Sequence, residues 1–115
     1  MRIPSQSVRL RIYTGENNRY HGRPLFEAIV EEARSRGLAG ATVIRGLSGY
    51  GPNSRVRSSR ILVLSEDLPV VIELVDEAEK IEAFLPFLNE AVKEGLITRQ
   101  PVEVVFYNHN PKHDA

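Results

Sequence analysis

The chain has 115 residues with 15 basic and 15 acidic side chains, so it carries no formal net charge, and nothing in its bulk electrostatics calls for a nucleic-acid partner. It contains no cysteine, which excludes disulfides, thiolate metal sites and cysteine nucleophiles. No apolar run approaches the ~20 residues of a membrane span. The first residues, Met1-Arg-Ile-Pro-Ser-Gln, have no apolar signal core, so a cytoplasmic protein without membrane insertion is expected.

At this length one domain is expected, with roughly two-thirds of the unfolded chain's surface buried. Val8, Leu10 and Ile12 alternate with Arg9, Arg11 and Tyr13, which predicts a strand over 7–14 with one buried face. Residues 15–23 read as a polar loop. Pro24 suits the first position of a helix. Leu25, Ala28, Ile29 and Ala33 then recur at helical spacing, flanked by Phe26 and Val30, with Glu27, Glu31, Glu32, Arg34 and Arg36 largely on the wet face. The predicted helix is 24–36, closed by Gly37 with Leu38 as the apolar contact of a Schellman end.

A second strand is predicted from Ala41 to Ser48 or a little beyond, and 61–64 is a short strand-like run. Residues 70–75 read as a strand buried on most of its surface. Asp76 is placed to cap the next helix, with Glu79 completing a capping box. Ile81, Phe84, Leu85, Leu88 and Val92 trace that helix's apolar face. Pro86 inside it predicts a kink or two short helices. Gly95 ends it, the last strand lies within 96–107 and is clearest at 102–106, and the polar tail 108–115 is expected to fray. Strand, helix, strand, strand, helix, strand is the α+β, ferredoxin-like βαββαβ sandwich: a four-stranded antiparallel sheet with two helices on one face. The single domain has its core at about 7–107.

Chemistry concentrates in 40–60, Gly-Ala-Thr-Val-Ile-Arg-Gly-Leu-Ser-Gly-Tyr-Gly-Pro-Asn-Ser-Arg-Val-Arg-Ser-Ser-Arg. Gly46, Gly49 and Gly51 let a ligand approach the backbone, whose N–H groups can cradle an anion. Arg45, Arg55, Arg57 and Arg60 can clamp it through a planar fork, and no acid lies between Gly40 and Ser65. The same glycines equally mark a bulge and a turn, and the same arginines a solvated hairpin face guarding an edge strand. Tyr50 suits stacking on a base. His21, His109 and His113 are too scattered for a metal site. Ser48, Ser54, Ser58 and Ser59 have no histidine near them in sequence to activate a nucleophile.

The connection from about Gly49 to Pro69 is long for this fold, and its glycines resemble those of the PII signalling family. Gly49-Tyr50-Gly51-Pro52-Asn53 is similar to the PII motif Gly-Phe-Gly-x-Gln at the base of the T-loop. Val70-Val-Ile-Glu-Leu-Val75 is similar to the PII third strand, Val-x-Ile-Glu-Ile-Val. A more specific resemblance, over about 8–107, is to a PII-like branch, the domain-of-unknown-function 190 proteins. It is carried by Leu10-Arg-Ile-Tyr-Thr-Gly-Glu, Pro24-Leu-Phe-Glu-Ala-Ile-Val-Glu-Glu-Ala, Gly37-Leu-Ala-Gly-Ala-Thr-Val, Leu64-Ser-Glu-Asp-Leu-Pro-Val-Val-Ile-Glu and Lys80-Ile-Glu-Ala-Phe-Leu-Pro.

The resemblance implies a homotrimer, with an adenine nucleotide as effector in the cleft between subunits. Residue by residue, Gly49, Gly51 and Asn53 carry over to that site. PII proteins place Gly-Asp-Gly-Lys before their last strand; here Lys93-Glu-Gly-Leu-Ile-Thr-Arg-Gln-Pro101 leaves Gly95 and Arg99 in its place. The expected ligand-binding set is Arg45, Gly49, Tyr50, Gly51, Asn53, Arg55, Arg57, Arg60 and Arg99, with no catalytic residue and no metal ligand. The expected function is non-enzymatic: a cytoplasmic sensor whose ligand orders the 51–65 loop to meet a partner such as a membrane transporter or an enzyme. A trimeric interaction module without ligand and a CutA-like divalent-cation protein are the alternatives. A small acyl-phosphate hydrolase ranks lower, because Glu16 in Thr14-Gly15-Glu16-Asn17-Asn18-Arg19 would repel phosphate.

Overall fold

The computed structural model describes residues 4–51, 57–58 and 67–108. In chain order its elements are β1 (Gln6–Gly15), β2 (Arg19–Tyr20), β3 (Arg23–Pro24), α1 (Leu25–Ser35), β4 (Ala41–Arg45), β5 (Ser48–Gly49), β6 (Arg57–Ser58), β7 (Pro69–Asp76), α2 (Ala78–Ala91) and β8 (Leu96–Glu103). Four of these strands form one sheet in the order β4-β7-β1-β8, every neighbouring pair antiparallel. This is the expected ferredoxin-like topology: α1 carries the chain from β1 past β7 to β4, and α2 carries it from β7 past β1 to β8.

The core follows from the two side-chain periods. Leu10 and Ile12 of β1 stand opposite Leu74 and Ile72 of β7, and none of the four is accessible to solvent. Over them α1 lays Leu25, Ala28, Ile29 and Ala33, and α2 lays Ile81, Phe84, Leu88 and Ala91. Spacings of three and four put these residues on one helical face. Each large side chain so buried contributes about 1.5–3 kcal/mol. The end of α1 is the expected Schellman motif: Gly37 has φ 77°, the Leu38 N–H donates to Ala33 O at 3.0 Å, and the Gly37 N–H donates to Arg34 O at 3.0 Å.

The other face of the sheet carries no helix. There Arg11 Nε donates to the Glu73 carboxylate at 2.8 Å, between half-buried Tyr13, Val71 and Val75. That hydrogen bond is the largest cause pushing the Arg11 pKa up. β7 therefore alternates strictly between buried and half-buried residues and is not buried on most of its surface. With helices on one face only, its second face is left to the solvent side.

Several element ends differ from expectation, each because a partner distant in sequence intervenes. Pro24 lies just outside α1: it pairs with Arg19 in a small hairpin and has ψ 132°. His21 (φ 49°) and Gly22 (φ 81°) turn this hairpin, both with the positive φ that a type I′ turn requires. Asp76 does not cap α2. It is the buried last residue of β7; its Oδ1 accepts the Glu77 N–H at 2.7 Å and its Oδ2 the Ala39 N–H at 2.9 Å. Glu77 is the N-cap and makes no side-chain cap bond. Pro86 does not divide α2, which runs unbroken over 14 residues. Pro86 is exposed, so the carbonyl it leaves without a partner, that of Glu82, lies on the water side.

β4 stops at Arg45, although the Gly46 N–H still donates to Pro69 O at 2.7 Å, and Ser48 and Gly49 then pair as β5 with β6. β8 ends at Glu103 because its partner β1 begins at the facing Gln6. Beyond it the Val104 N–H still donates to Ser5 O at 2.6 Å, but Val105 and Phe106 stand 88% and 80% exposed. The strand-like run 61–64 and the tail from 109 lie outside the described residues.

Candidate functional site

The ends of all four sheet strands meet at one place: Gly15 of β1, Gly46 just past β4, Pro69 of β7 and Leu96 of β8. They surround a cavity of about 590 Å³, roofed by residues 48–51. Its floor is close-packed backbone. A Cβ on Gly46 would lie 2.9 Å from Pro69 Cγ, and one on Gly95 would lie 2.4 Å from the Tyr13 carbonyl oxygen. Only glycine permits either approach.

The wall is largely apolar, formed by Tyr13, Tyr50, Val71 and Leu96, with Glu94 as its one carboxylate among the described residues. Tyr50 is 72% exposed and Leu96 56%, so both offer open apolar surface. Thr14 is buried beneath them; its Oγ1 accepts from Asn18 Nδ2 and donates to Glu94 O at 3.4 Å. An apolar slot with an exposed aromatic face suits a planar ring, and the glycine backbone at 49 and 51 leaves room for a ligand to approach.

Of the expected ligand-binding set, Gly49, Tyr50 and Gly51 line this cavity, and so do Gly46, Ser48 and Gly95, which the sequence also singled out. Arg45 stands beside it, but its guanidinium is ion-paired with Glu16. The backbone of Arg57 pairs with Gly49, so β6 lies alongside the roof. Arg99 is not brought to the cavity. It faces Leu10 in the middle of β8 and is ion-paired with Glu82 of α2. Asn53, Arg55 and Arg60 lie outside the described residues. Tyr13, Val71, Glu94 and Leu96 belong to the wall without having been singled out. Their alternation in strands tells which face they occupy, not which strand ends converge.

The DUF190 family model, described as Uncharacterized ACR, COG1993, matches residues 7–104. The chain belongs to this family. A UPF0166 protein of Aquifex aeolicus (strain VF5) is 41% identical over 106 residues, which are 92% of this chain and 99% of that one. A UPF0166 protein of Methanocaldococcus jannaschii is 40% identical over 89 residues, 76% of this chain and 82% of that one. Among solved structures, CPII, a nitrogen regulatory PII-like protein from Thiomonas intermedia K12, superposes with a TM-score of 0.59 at 20% identity, over 86% of this chain and 88% of that one. That CPII structure is bound to ADP, AMP and bicarbonate. A second CPII structure, bound to ADP and bicarbonate, gives a TM-score of 0.55 at 19% identity. This member of the DUF190 family therefore has a PII-like fold.

Proposed function

We propose that the protein is a non-enzymatic regulator that binds a small anionic ligand, an adenine nucleotide, in the cavity at the converging strand ends. The observation that carries this reading is the cavity's composition: glycine backbone on the floor, an exposed Tyr50 at the mouth and a largely apolar wall around about 590 Å³. A PII-like neighbour holding ADP and AMP supports it. The protein would work as a cytoplasmic homotrimer, with a neighbouring copy closing the cavity's open side. Ligand binding would be read out by a transporter or an enzyme through the segment that roofs the cavity. Among the described residues no helix is long and apolar enough to cross a membrane.

Calorimetric titration with AMP, ADP, ATP and cyclic AMP tests the ligand. Saturable heat with at least one, lost in Tyr50→Ala, is expected. No heat and no thermal shift with any of them would leave a ligand-free interaction module instead. Light scattering tests the assembly, with a particle three times the 12.9 kDa chain expected.

A further inference from the structure

The connection between β4 and β7 leaves the sheet at Gly46 and returns through Asp67 and Leu68. Both of its ends are held by the β1–β2 loop, the outgoing one by Glu16 and the returning one by Glu16 and Asn17. At the outgoing end, the Glu16 carboxylate is ion-paired with Arg45. At the returning end, the Glu16 N–H donates to Leu68 O at 2.8 Å and the Asn17 N–H donates to Asp67 Oδ1 at 2.8 Å. The ends are also tied to each other, since the Gly46 N–H donates to Pro69 O at 2.7 Å. The fit is tight: a Cβ on Gly15 would lie 2.8 Å from Asp67 Oδ1. The next residue fastens the opposite wall, where Asn18 Nδ2 donates to Thr14 Oγ1 and to Glu94 O.

We infer that Glu16, Asn17 and Asp67 form a clasp that sets the spacing between the two walls of the cavity and so couples its occupant to both ends of the β4–β7 connection. This rests on the ligand-binding reading for the coupling, though not for the clasp. None of the three lines the cavity, whereas Gly15 next to Glu16, Gly46 next to its partner Arg45, and Pro69 two residues beyond Asp67 all do. They are therefore positioning residues. Hydrogen bonds that share partners reinforce one another, so loosening one end frees the other. A ligand that prefers one wall spacing shifts the clasp, and by linkage the clasp shifts ligand affinity by the same factor.

Hydrogen exchange on the protein tests the clasp in Asp67→Ala, Asp67→Asn and Glu16→Ala. The decisive amide is Gly46, which bonds to Pro69 and touches neither Asp67 nor Glu16 through its N–H. In Asp67→Ala and Glu16→Ala it should exchange roughly tenfold faster, the factor that one net hydrogen bond is worth, and Asp67→Asn, which keeps an acceptor oxygen, should restore most of the protection. Unchanged exchange at Gly46 in all three variants overturns the clasp. AMP titration of the same proteins tests the coupling: affinity should fall by about tenfold in Asp67→Ala and Glu16→Ala. Affinity equal to wild type in both overturns the coupling. Failure of the wild-type protein to bind AMP, ADP, ATP or cyclic AMP would sink the nucleotide reading, while the Gly46 exchange rates would still decide the clasp.

Discussion

Gly95 opens β8 at the cavity floor, and Gly95→Ala is the sharpest probe of how that floor is packed. The added Cβ would lie 2.4 Å from Tyr13 O and 3.3 Å from Val92 Cγ1. Even a close carbon–oxygen contact runs at about 3.3 Å, so the overlap is near an ångström. The carbonyl has no room to retreat, because Tyr13 is paired with Val71 on one side and with Leu96 on the other. Relief must come from lifting the start of β8. Overpacking of this kind costs about 1–3 kcal/mol, and a lost ladder hydrogen bond adds about 1 kcal/mol, for a loss of about 2–4 kcal/mol. At about 4 °C per kcal/mol for a domain of this size, Tm should fall by roughly 8–16 °C. Gly40→Ala is the control, since nothing lies within 4 Å of a Cβ there, and it should stay within about 0.5 kcal/mol of wild type. Urea denaturation followed by circular dichroism, at equal protomer concentration, reads both. A Gly95→Ala protein as stable as the control would refute the close-packed floor.

Asp76→Ala removes the acceptor of two N–H groups around a fully buried carboxylate, and should cost about 2–4 kcal/mol in the same urea experiment; Asp76→Asn, which keeps one acceptor oxygen, should cost less. Tyr50→Ala should weaken nucleotide binding by about tenfold or more, the loss expected for a stacked base, and leave Tm unchanged because the side chain is 72% exposed. The Tyr20 phenol is pushed above its ordinary 10.0, first by desolvation and then by the nearby Glu90 carboxylate, to which it donates a hydrogen bond at 3.2 Å. A raised folded-state pKa means that stability is complete below the unfolded value and is lost as pH rises through the folded one. Unfolding free energy should therefore decline above pH 10, and less steeply in Tyr20→Phe; identical slopes would remove Tyr20 from the account.

What the sequence discloses depends on whether a residue's role repeats. Leu10 and Ile12, or Leu25, Ala28, Ile29 and Ala33, announce their buried face because each recurs at the period of its element. Element ends are settled by single partners far along the chain. Asp76 has the spacing of a capping box with Glu79, yet its second oxygen goes to Ala39, on a loop that tertiary structure brings alongside. Val105 and Phe106 have the composition of a strand, and only the start of β1 at Gln6 shows why pairing ends before them. The site divides in the same way. Gly49, Tyr50 and Gly51 stand out as a local cluster, whereas Tyr13, Val71 and Leu96 become a wall only when four strand ends are set side by side. Arg99 looked available in the sequence, but Glu82 of α2 claims it.

The glycines around the cavity also bear on how a ligand would be held. A glycine-rich site is easily taken as loose backbone that closes around its ligand. Here Gly15, Gly46 and Gly95 each sit where a Cβ would come within 3 Å of another atom. They mark tight contacts between strand ends and not slack. The strands themselves are anchored by the core on the sheet's other face, where Leu10, Ile12, Ile72 and Leu74 are fully buried. The floor is thus set by folding, and a ligand need not supply the free energy to assemble it. Any ordering cost falls on the roof beyond Gly46, where Tyr50 still projects into solvent. A floor set by folding under an exposed aromatic roof suits the proposed sensor: a ligand would meet a preformed floor, and its ordering of the roof would be what a partner reads.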